Sequence, residues 1–224
     1  AIETLTESSV TAPQPDCAFG YCILSRSGGY DSYEMARLGG FTLLPAQNRR
    51  PIAAGVLIEQ SEPADASDPA GLRYTATGDF FDSINSPDAA ALAGYRGDQG
   101  VLATTTYSEF TSDGARLRGA LDAMKKPGRG TDPPTLTAVN EMLAYTAANA
   151  PSGPGERQRA VVVVSLGSKS RECTSWPSAA CLEAVAKASE TSLKTGIPVV
   201  ALGSEMLQNL AVRTGGAYVY MVEP

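Results

Sequence analysis

Two uninterrupted apolar runs constrain the fold of this chain more than any other feature. Residues 52–58 (Ile-Ala-Ala-Gly-Val-Leu-Ile) and 160–165 (Ala-Val-Val-Val-Val-Ser) show no alternation of apolar and polar side chains. A strand that is apolar on both sides is typical of a parallel sheet whose two faces are covered by helices. The runs therefore predict two central strands of an α/β fold.

The segments around these runs combine helical spacing with turn signals. Ser67 or Asp68 can cap a helix whose first turn holds Pro69, and Asp113 can cap another. Further helices are predicted to begin after residues 131–134, after Pro177 and at Glu205, with strands at 100–111, 199–202 and 217–222. The apolar positions expected to face the sheet are Leu72, Ala76, Phe80 and Ile84, then Leu117, Ala120, Leu121 and Met124, then Leu136, Val139, Leu143 and Ala147, then Leu182, Val185, Ser189 and Leu193. Strands that alternate with helices predict a doubly wound, mostly parallel, Rossmann-like sheet.

Residues 1–50 differ in composition from the rest of the chain. Residues 4–14 are rich in Ser, Thr and Pro, and two short strand-like runs, 21–25 and 40–44, flank a Gly-containing loop. We expect residues 1–50 to form a small β extension pinned by a disulfide. Residues 51–224 are expected to form the main domain.

The four cysteines fall into two local pairs, Cys17 with Cys22 and Cys173 with Cys181. Proximity favours these two pairings over the alternatives. Neither pair has the spacing of a zinc site. We interpret both pairs as disulfides, which indicates an oxidising location: secreted, periplasmic or at the cell surface. Free buried thiols in a cytosolic protein are the alternative.

Composition excludes several classes of function. The chain has no His, which removes the commonest general base, the Ser-His-Asp and Cys-His arrangements and nearly every zinc site. Its net charge of −6 argues against nucleic acid and against an anionic membrane surface. No apolar run approaches the roughly 20 residues that span a bilayer. We therefore expect neither a nucleic-acid partner nor a membrane span.

Ligands of doubly wound sheets bind at the carboxyl ends of the strands, the edge called here the top of the sheet. The segments expected there are 59–68, 128–135, 165–170 and 203–205. They contain the carboxylates and hydroxyls from which a binding site could be built.

Four pieces of the sequence resemble, in order, the von Willebrand factor A (vWA) and integrin inserted domains. They are Arg129-Gly130-Thr131-Asp132-Pro133-Pro134, Val161-Val162-Val163-Val164-Ser165-Leu166-Gly167, Thr195-Gly196-Ile197-Pro198-Val199, and Leu210-Ala211 with Thr214-Gly215-Gly216. The resemblance covers residues 51–222 and implies a vWA-like fold. In that family a divalent cation at the metal-ion-dependent adhesion site (MIDAS) bridges to a carboxylate of a protein ligand.

The chain departs from the family's metal-site pattern. The family's Asp-x-Ser-x-Ser motif corresponds to Glu59-Gln60-Ser61-Glu62-Pro63, and Leu166 stands where the third motif has Asp. The resemblance leaves Glu59, Ser61 and Thr131 as candidate ligands for Mg²⁺ or Ca²⁺, with Asp65 as a substitute. We therefore expect a degenerate site that holds no cofactor.

The expected function is that of a non-enzymatic, secreted or cell-envelope module that binds a protein partner or a larger assembly. The top-of-sheet loops would make the contact without a metal. Trp176, inside the predicted 173–181 disulfide loop, and Asp132 are the candidate partner-binding residues, because a pinned aromatic side chain is preorganised for a partner pocket. For Trp176 the alternative is a side chain packed over the edge of the sheet.

Two other functions stay open. The first is divalent-cation-dependent adhesion through a non-standard metal site. The second is a hydrolase or another enzyme built on the Rossmann-like sheet, because this kind of sheet supports many activities.

Overall fold

The fold is known from a computed structural model, which describes residues 50–98, 103–151, 157–167 and 170–219. It also describes the backbone of two strands, β1 (Cys22–Arg26) and β2 (Tyr33–Arg37). By its internal contacts the chain divides into two compact units, Ala1–Arg49 and Arg50–Pro224.

In the first unit β1 and β2 form an antiparallel pair in which Cys22 lies opposite Arg37. β1 coincides with the strand predicted at 21–25, whereas β2 falls where the sequence predicts no strand. The strand predicted at 40–44 and the predicted Cys17–Cys22 disulfide lie outside the described residues.

The second unit is built on a mostly parallel sheet, as predicted. Its strands are β3 (Ile52–Glu59), β4 (Ala89–Tyr95), β5 (Thr104–Thr111), β6 (Gln158–Ser165), β7 (Val199–Gly203) and β8 (Tyr218–Val219). They lie side by side in the order β5-β4-β3-β6-β7-β8. Every neighbouring pair is parallel except β4 with β5, which is antiparallel.

Helices cover both faces of this sheet. They are α1 (Glu62–Ser67), α2 (Leu72–Ser83), α3 (Gly114–Met124), α4 (Thr135–Asn149), α5 (Ala179–Thr195) and α6 (Glu205–Arg213). One buried cluster joins the sheet to α4, α5 and α6, and a second joins the opposite face to α2 and α3. Among the described residues, no helix is both long and apolar enough to cross a membrane.

The sequence assigns the second strand of the domain to the wrong segment. It places that strand at 100–111, which forms the third strand of the domain, β5, at the antiparallel edge. The segment Ala89–Tyr95 comes before it and is missed because its sequence, Ala-Ala-Ala-Leu-Ala-Gly-Tyr, lacks β-branched residues. Every residue of β4 is buried. Small side chains suit a strand that is covered on both faces.

The predicted faces of α3 and α4 are confirmed, and those of α2 and α5 are partly wrong. α2 buries Tyr74 and Phe81 and leaves Leu72 60% exposed. α5 buries Cys181, Val185, Ala188 and Ser192 and leaves Leu182 and Leu193 exposed. Cys181, which forms the disulfide with Cys173, lies on the buried side of α5.

A buried ion network orients α1 and α2. Arg73 is only 4% exposed, and its guanidinium donates to Asp68 Oδ2 at 3.0 Å and also to Asp65. Asp65 Oδ2 accepts from the backbone N–H of Gly128 at 2.6 Å. Burial lowers the pKa of Arg73, but the neighbouring Tyr74 and Asp65 outweigh it, so the net shift is upward. Arg73 therefore remains charged and ties the two helices to the 128–130 loop.

The Arg73→Ala variant is expected to lower the free energy of unfolding by about 3 kcal/mol, because it leaves the buried Asp68 without a countercharge. Urea unfolding followed by circular dichroism measures the change. Arg118→Ala, which removes an exposed pair with Asp82, is the control and should change the stability little. Similar losses for both variants would contradict the assigned role of Arg73.

Candidate functional site

The top of the sheet is centred where β3, β4 and β6 end side by side. β3 and β6 pair in parallel up to Ile58 and Val164, and β3 pairs with β4 up to Glu59 and Tyr95. Because parallel strands end at the same edge, the side chains of Glu59, Tyr95 and Ser165 meet there. This meeting point is the candidate site.

Glu59 is fully buried (0% exposed), and its carboxylate accepts hydrogen bonds from three groups of its own chain. Oε2 accepts from Ser165 Oγ at 2.7 Å and from the backbone N–H of Gly167 at 3.0 Å, and Oε1 accepts from Ser61 Oγ. These bonds occupy most of the roughly four acceptor positions of a carboxylate. Ser61 Oγ in turn accepts from the backbone N–H of Ala64 at 3.2 Å and so caps α1. Glu59 thus joins the loop after β3 to the loop after β6.

A group of buried hydroxyls lies beside Glu59. Tyr95 is 0% and Thr135 is 1% exposed, and the Tyr95 hydroxyl lies near those of Thr135 and Ser165. Burial raises the pKa of Tyr95 well above its usual value, and the charge of Glu59 raises it further. The two neighbouring hydroxyls oppose this rise only in part. Tyr95 is therefore a neutral phenol at physiological pH.

The 128–130 loop is locked between the loops that follow β3 and β4. The backbone N–H of Arg129 donates to the carbonyl of Gln60 at 2.9 Å, and that of Gly97 donates to the carbonyl of Arg129 at 2.8 Å. Gly130 has a positive φ of 74°, and a Cβ there would run into the backbone of Gly97. A Cβ at Gly128 would meet the backbone of the β3 loop. Because three backbone segments approach closely here, this part of the top has little conformational freedom.

The predicted Cys173–Cys181 disulfide is confirmed, and it pins a loop onto the top of the sheet. The Glu172 carboxylate accepts from the backbone N–H of Thr137 at 3.0 Å and from its hydroxyl at 2.6 Å. A carboxylate in this position caps the first turn of α4 and complements the helix dipole. The Arg171 guanidinium donates to the carbonyl of Gly97 at 3.0 Å. We call residues 170–178 the disulfide clasp.

The structure brings together only part of the predicted metal-ligand set. Glu59 and Ser61 are hydrogen-bonded to each other, whereas Thr131 is exposed on the loop before α4. The buried threonine of this region is Thr135. Asp65 is engaged by Arg73 and by the 128–130 loop instead.

The two predicted partner-binding residues differ in exposure. Asp132 is exposed next to Thr131. Trp176 lies in the disulfide clasp, is half-buried, and packs against the core on the α4–α6 face of the sheet. That packing corresponds to the alternative interpretation of Trp176, although a half-buried ring still presents an edge to solvent.

The oxygen atoms of this site, as they are arranged, do not fit a hard divalent cation. Such a cation requires several oxygen ligands with free lone pairs. The oxygens of Glu59 are occupied by donors, and neither Leu166 nor Pro63 offers a ligand. Within the described ranges, no three Asp, Glu, Cys or His side chains form a group that could hold a metal ion.

Three residues of this site escape the sequence prediction: Ser165, Tyr95 and Thr135. Ser165 had a signal, since it ends the apolar run 160–165 where the sheet's top is expected. Tyr95 belongs to the strand that the sequence misses. Thr135 follows two prolines at the start of α4, and its burial depends on tertiary packing.

Comparison with known proteins shows similarity in structure only. No protein-family model matches the sequence, and no curated protein matches it either. Among solved structures, a von Willebrand factor type A protein from Catenulispora acidiphila aligns with a TM-score of 0.58 at 14% identity, over 78% of this chain and 39% of that one. The pilus adhesin SpaC from Lactobacillus rhamnosus GG, in its open conformation, aligns with a TM-score of 0.59 at 13% identity, over 79% of this chain and 28% of that one.

A third structure is proximal thread matrix protein 1 from the mussel byssus, with a zinc-occupied MIDAS motif. It aligns with a TM-score of 0.51 at 17% identity, over 76% of this chain and 42% of that one. The chain thus spans less than half the length of each of these three proteins. The predicted vWA-like fold is confirmed, and two of the similar structures are an adhesin and a matrix protein.

The Tyr95→Phe variant is expected to lose less stability than the wild type at alkaline pH. The pKa of Tyr95 is raised on folding. The contribution of its protonated hydroxyl to the free energy of unfolding is therefore complete below pH 10 and is lost as the pH rises from there toward the pKa of the folded state. Urea unfolding between about pH 9 and pH 11 should give a wild-type slope steeper by up to about 1.4 kcal/mol per pH unit. Tyr107→Phe serves as the control. It removes a part-buried hydroxyl that donates a hydrogen bond to Gln60 Oε1. Equal slopes for wild type and Tyr95→Phe would refute the assignment.

Proposed function

We propose that this chain, which has the fold of a vWA domain, is a non-enzymatic module that binds a protein partner through the top of its sheet. In this proposal binding needs no metal, and the module belongs to a secreted or cell-envelope assembly with an adhesive or structural role. The observation that carries the proposal is the buried Glu59 carboxylate, which is occupied by Ser61, Ser165 and Gly167.

The state of Glu59 supports both metal independence and the absence of catalysis. A carboxylate that accepts several hydrogen bonds within its own chain has few lone pairs left for a cation. The same bonds and its complete burial keep Glu59 from reaching the proton of a substrate. Its role in this proposal is to hold the loops of the top in one conformation.

The surface above Glu59 supports recognition of a protein. Asp132 is exposed, and Trp176 is held by the disulfide clasp, whose Glu172 and Arg171 bind α4 and Gly97. A preorganised loop binds with a smaller entropy loss than a mobile one. The Cys173–Cys181 disulfide supports a location outside the reducing cytosol.

The names of two similar structures support the adhesive or structural role. One is a pilus adhesin and the other a thread matrix protein. At 13% and 17% identity, their likeness to this chain is a likeness of fold.

Cation-dependent adhesion is the second candidate function. Glu59 and Ser61 remain adjacent, and one similar structure carries a zinc-occupied MIDAS. This alternative requires Ser61 or Ser165 to release the carboxylate and turn toward a metal.

Mg²⁺, Mn²⁺ or Ca²⁺ at millimolar concentration is expected to leave the midpoint of thermal unfolding unchanged within about 1 °C. A ligand that binds only the native state must stabilise it, so an unchanged midpoint indicates that no site is filled. Differential scanning fluorimetry in metal and in EDTA gives the measurement. Glu59→Asp is the matched variant, since it introduces the shorter aspartate that the vWA metal-site motif has at this position. A metal-dependent rise in the wild type would favour the second candidate function.

The combined Asp132→Lys and Trp176→Ala variant is expected to lose the protein partner of the full chain. The immobilised chain would be exposed in EDTA to extracellular and cell-envelope proteins of the source organism, and bound proteins cross-linked and identified by mass spectrometry. Glu190→Lys, on the exposed side of α5, is the control and should keep the same partner. Retention of that partner by the double variant would place recognition elsewhere.

A further inference from the structure

Among the residues that the structure describes, one face of the sheet is only partly covered at its β6–β8 end. β6 and β7 carry apolar side chains on both faces, which predicts burial on both. On the face of α4, α5 and α6 the residues Val161, Val163, Val199 and Ala201 are all 0% exposed. On the opposite face Val162, Val200 and Leu202 are only half-buried. The side chains on the two faces are therefore buried to different extents, although both sets are apolar.

Along one row of paired residues on this face, the exposure of the side chains rises from β3 to β8. Ile58, Val164, Leu202 and Val219 pair with one another from β3 to β8 and so point to the same side. Ile58 is 0%, Val164 is 6% and Val219 is 44% exposed, with Leu202 half-buried between them. α2 and α3 pack with β3, β4 and β5 on this face. The other face of β6 and β7 is buried by residues of α4, α5 and α6.

The uncovered face continues into a groove with a volume of about 1060 Å³ at the opposite edge from the candidate site. Its apolar lining includes Ile52, Phe80 and Val162. Arg50, Arg157 and Arg159 also line it, and none of the described lining residues is Asp or Glu. We call this surface the arginine groove. Three cations at one edge stand out in a chain whose net charge is −6.

Arg157 is held in place by groups that do not neutralise it. Its Nε donates to the carbonyl of Pro87 at 2.9 Å, and its Nη1 donates to the carbonyl of Pro151 at 2.8 Å. A guanidinium has five N–H donors, so others remain for a further acceptor. Within the described residues, Arg50, Arg157 and Arg159 take part in no ion pair. A fixed cation that forms no ion pair within the described part of the chain favours binding of a carboxylate.

We propose that the arginine groove and the uncovered face beside it bind an amphipathic helix of a partner chain, apolar along one side and acidic at the end that reaches the arginines. A helix is the element that covers a parallel sheet, and about 11 residues of helix span the length of β7. Charge complementarity selects acidic residues at the arginine end. The arginine groove lies at the edge opposite the top, so its arginines take no part in the function proposed there.

The probe is a fluorescein-labelled peptide of about 14 residues with a Leu stripe at helical spacing and Glu at its polar positions. Fluorescence anisotropy with the full chain is expected to show binding. A counterpart with Lys in place of Glu should bind at least roughly tenfold more weakly. Hydrogen–deuterium exchange should show protection of residues 158–164 and 199–203 by the Glu peptide.

Variants separate the two parts of the surface. Arg157→Glu with Arg159→Glu should weaken the Glu peptide at least roughly tenfold, and Val219→Asp should weaken both peptides. Arg213→Glu, an exposed arginine of α6, should leave the affinity unchanged. Circular dichroism and urea unfolding verify that each variant is folded.

Three outcomes would overturn the proposal: no binding of the Glu peptide to the wild type, equal binding of both peptides, or no effect of the arginine variants. Light scattering tests another occupant. A dimer that Val219→Asp dissociates would assign the uncovered face to a second copy of this chain instead.

Discussion

The hydrogen bonds to the Glu59 carboxylate are the interaction on which the top of this domain depends. They link the ends of the two central strands, β3 and β6, through Ser61, Ser165 and Gly167. Because Glu59 is completely buried, leaving its oxygens without donors would be strongly unfavourable. The charge also helps to keep the neighbouring Tyr95 protonated. The strand ends, the α1 cap and the hydroxyl cluster are therefore coupled through one side chain.

The length of the acidic side chain explains how this arrangement differs from a metal site. Glu has one methylene more than Asp, which lets the carboxylate reach the loop after β6 and accept from its backbone. Gly167 is required there, since a Cβ would collide with that carboxylate. With Leu166 beside it, the loop supplies an N–H and a hydroxyl instead of a second acid. The carboxylate is thus bound by neutral donors of its own chain.

Prediction from sequence succeeded where burial follows a simple period and failed where it depends on contacts between distant segments. The apolar runs at 52–58 and 160–165 identify β3 and β6, and Asp113 correctly caps α3. β4 was missed because alanines carry no strand signal, and with it the buried Tyr95. The predicted face of α2 is wrong at Leu72 and Ala76 and right at Ile84, and the buried Arg73 on this helix belongs to an ion network that periodicity does not predict. The motif points to Thr131, yet packing buries Thr135, a distinction that sequence spacing cannot make.

The sheet needs more cover at its β6–β8 end than the described residues give it. The run 160–164 is apolar at every position, although a strand with one face in water needs only every second position to be apolar. Val162 is half-buried between the fully buried Val161 and Val163, and Leu202 is half-buried next to the fully buried Ala201. Apolar surface of this kind favours a partner. The arginines at the groove edge then select a partner with acidic residues, since apolar contact alone discriminates weakly between helices.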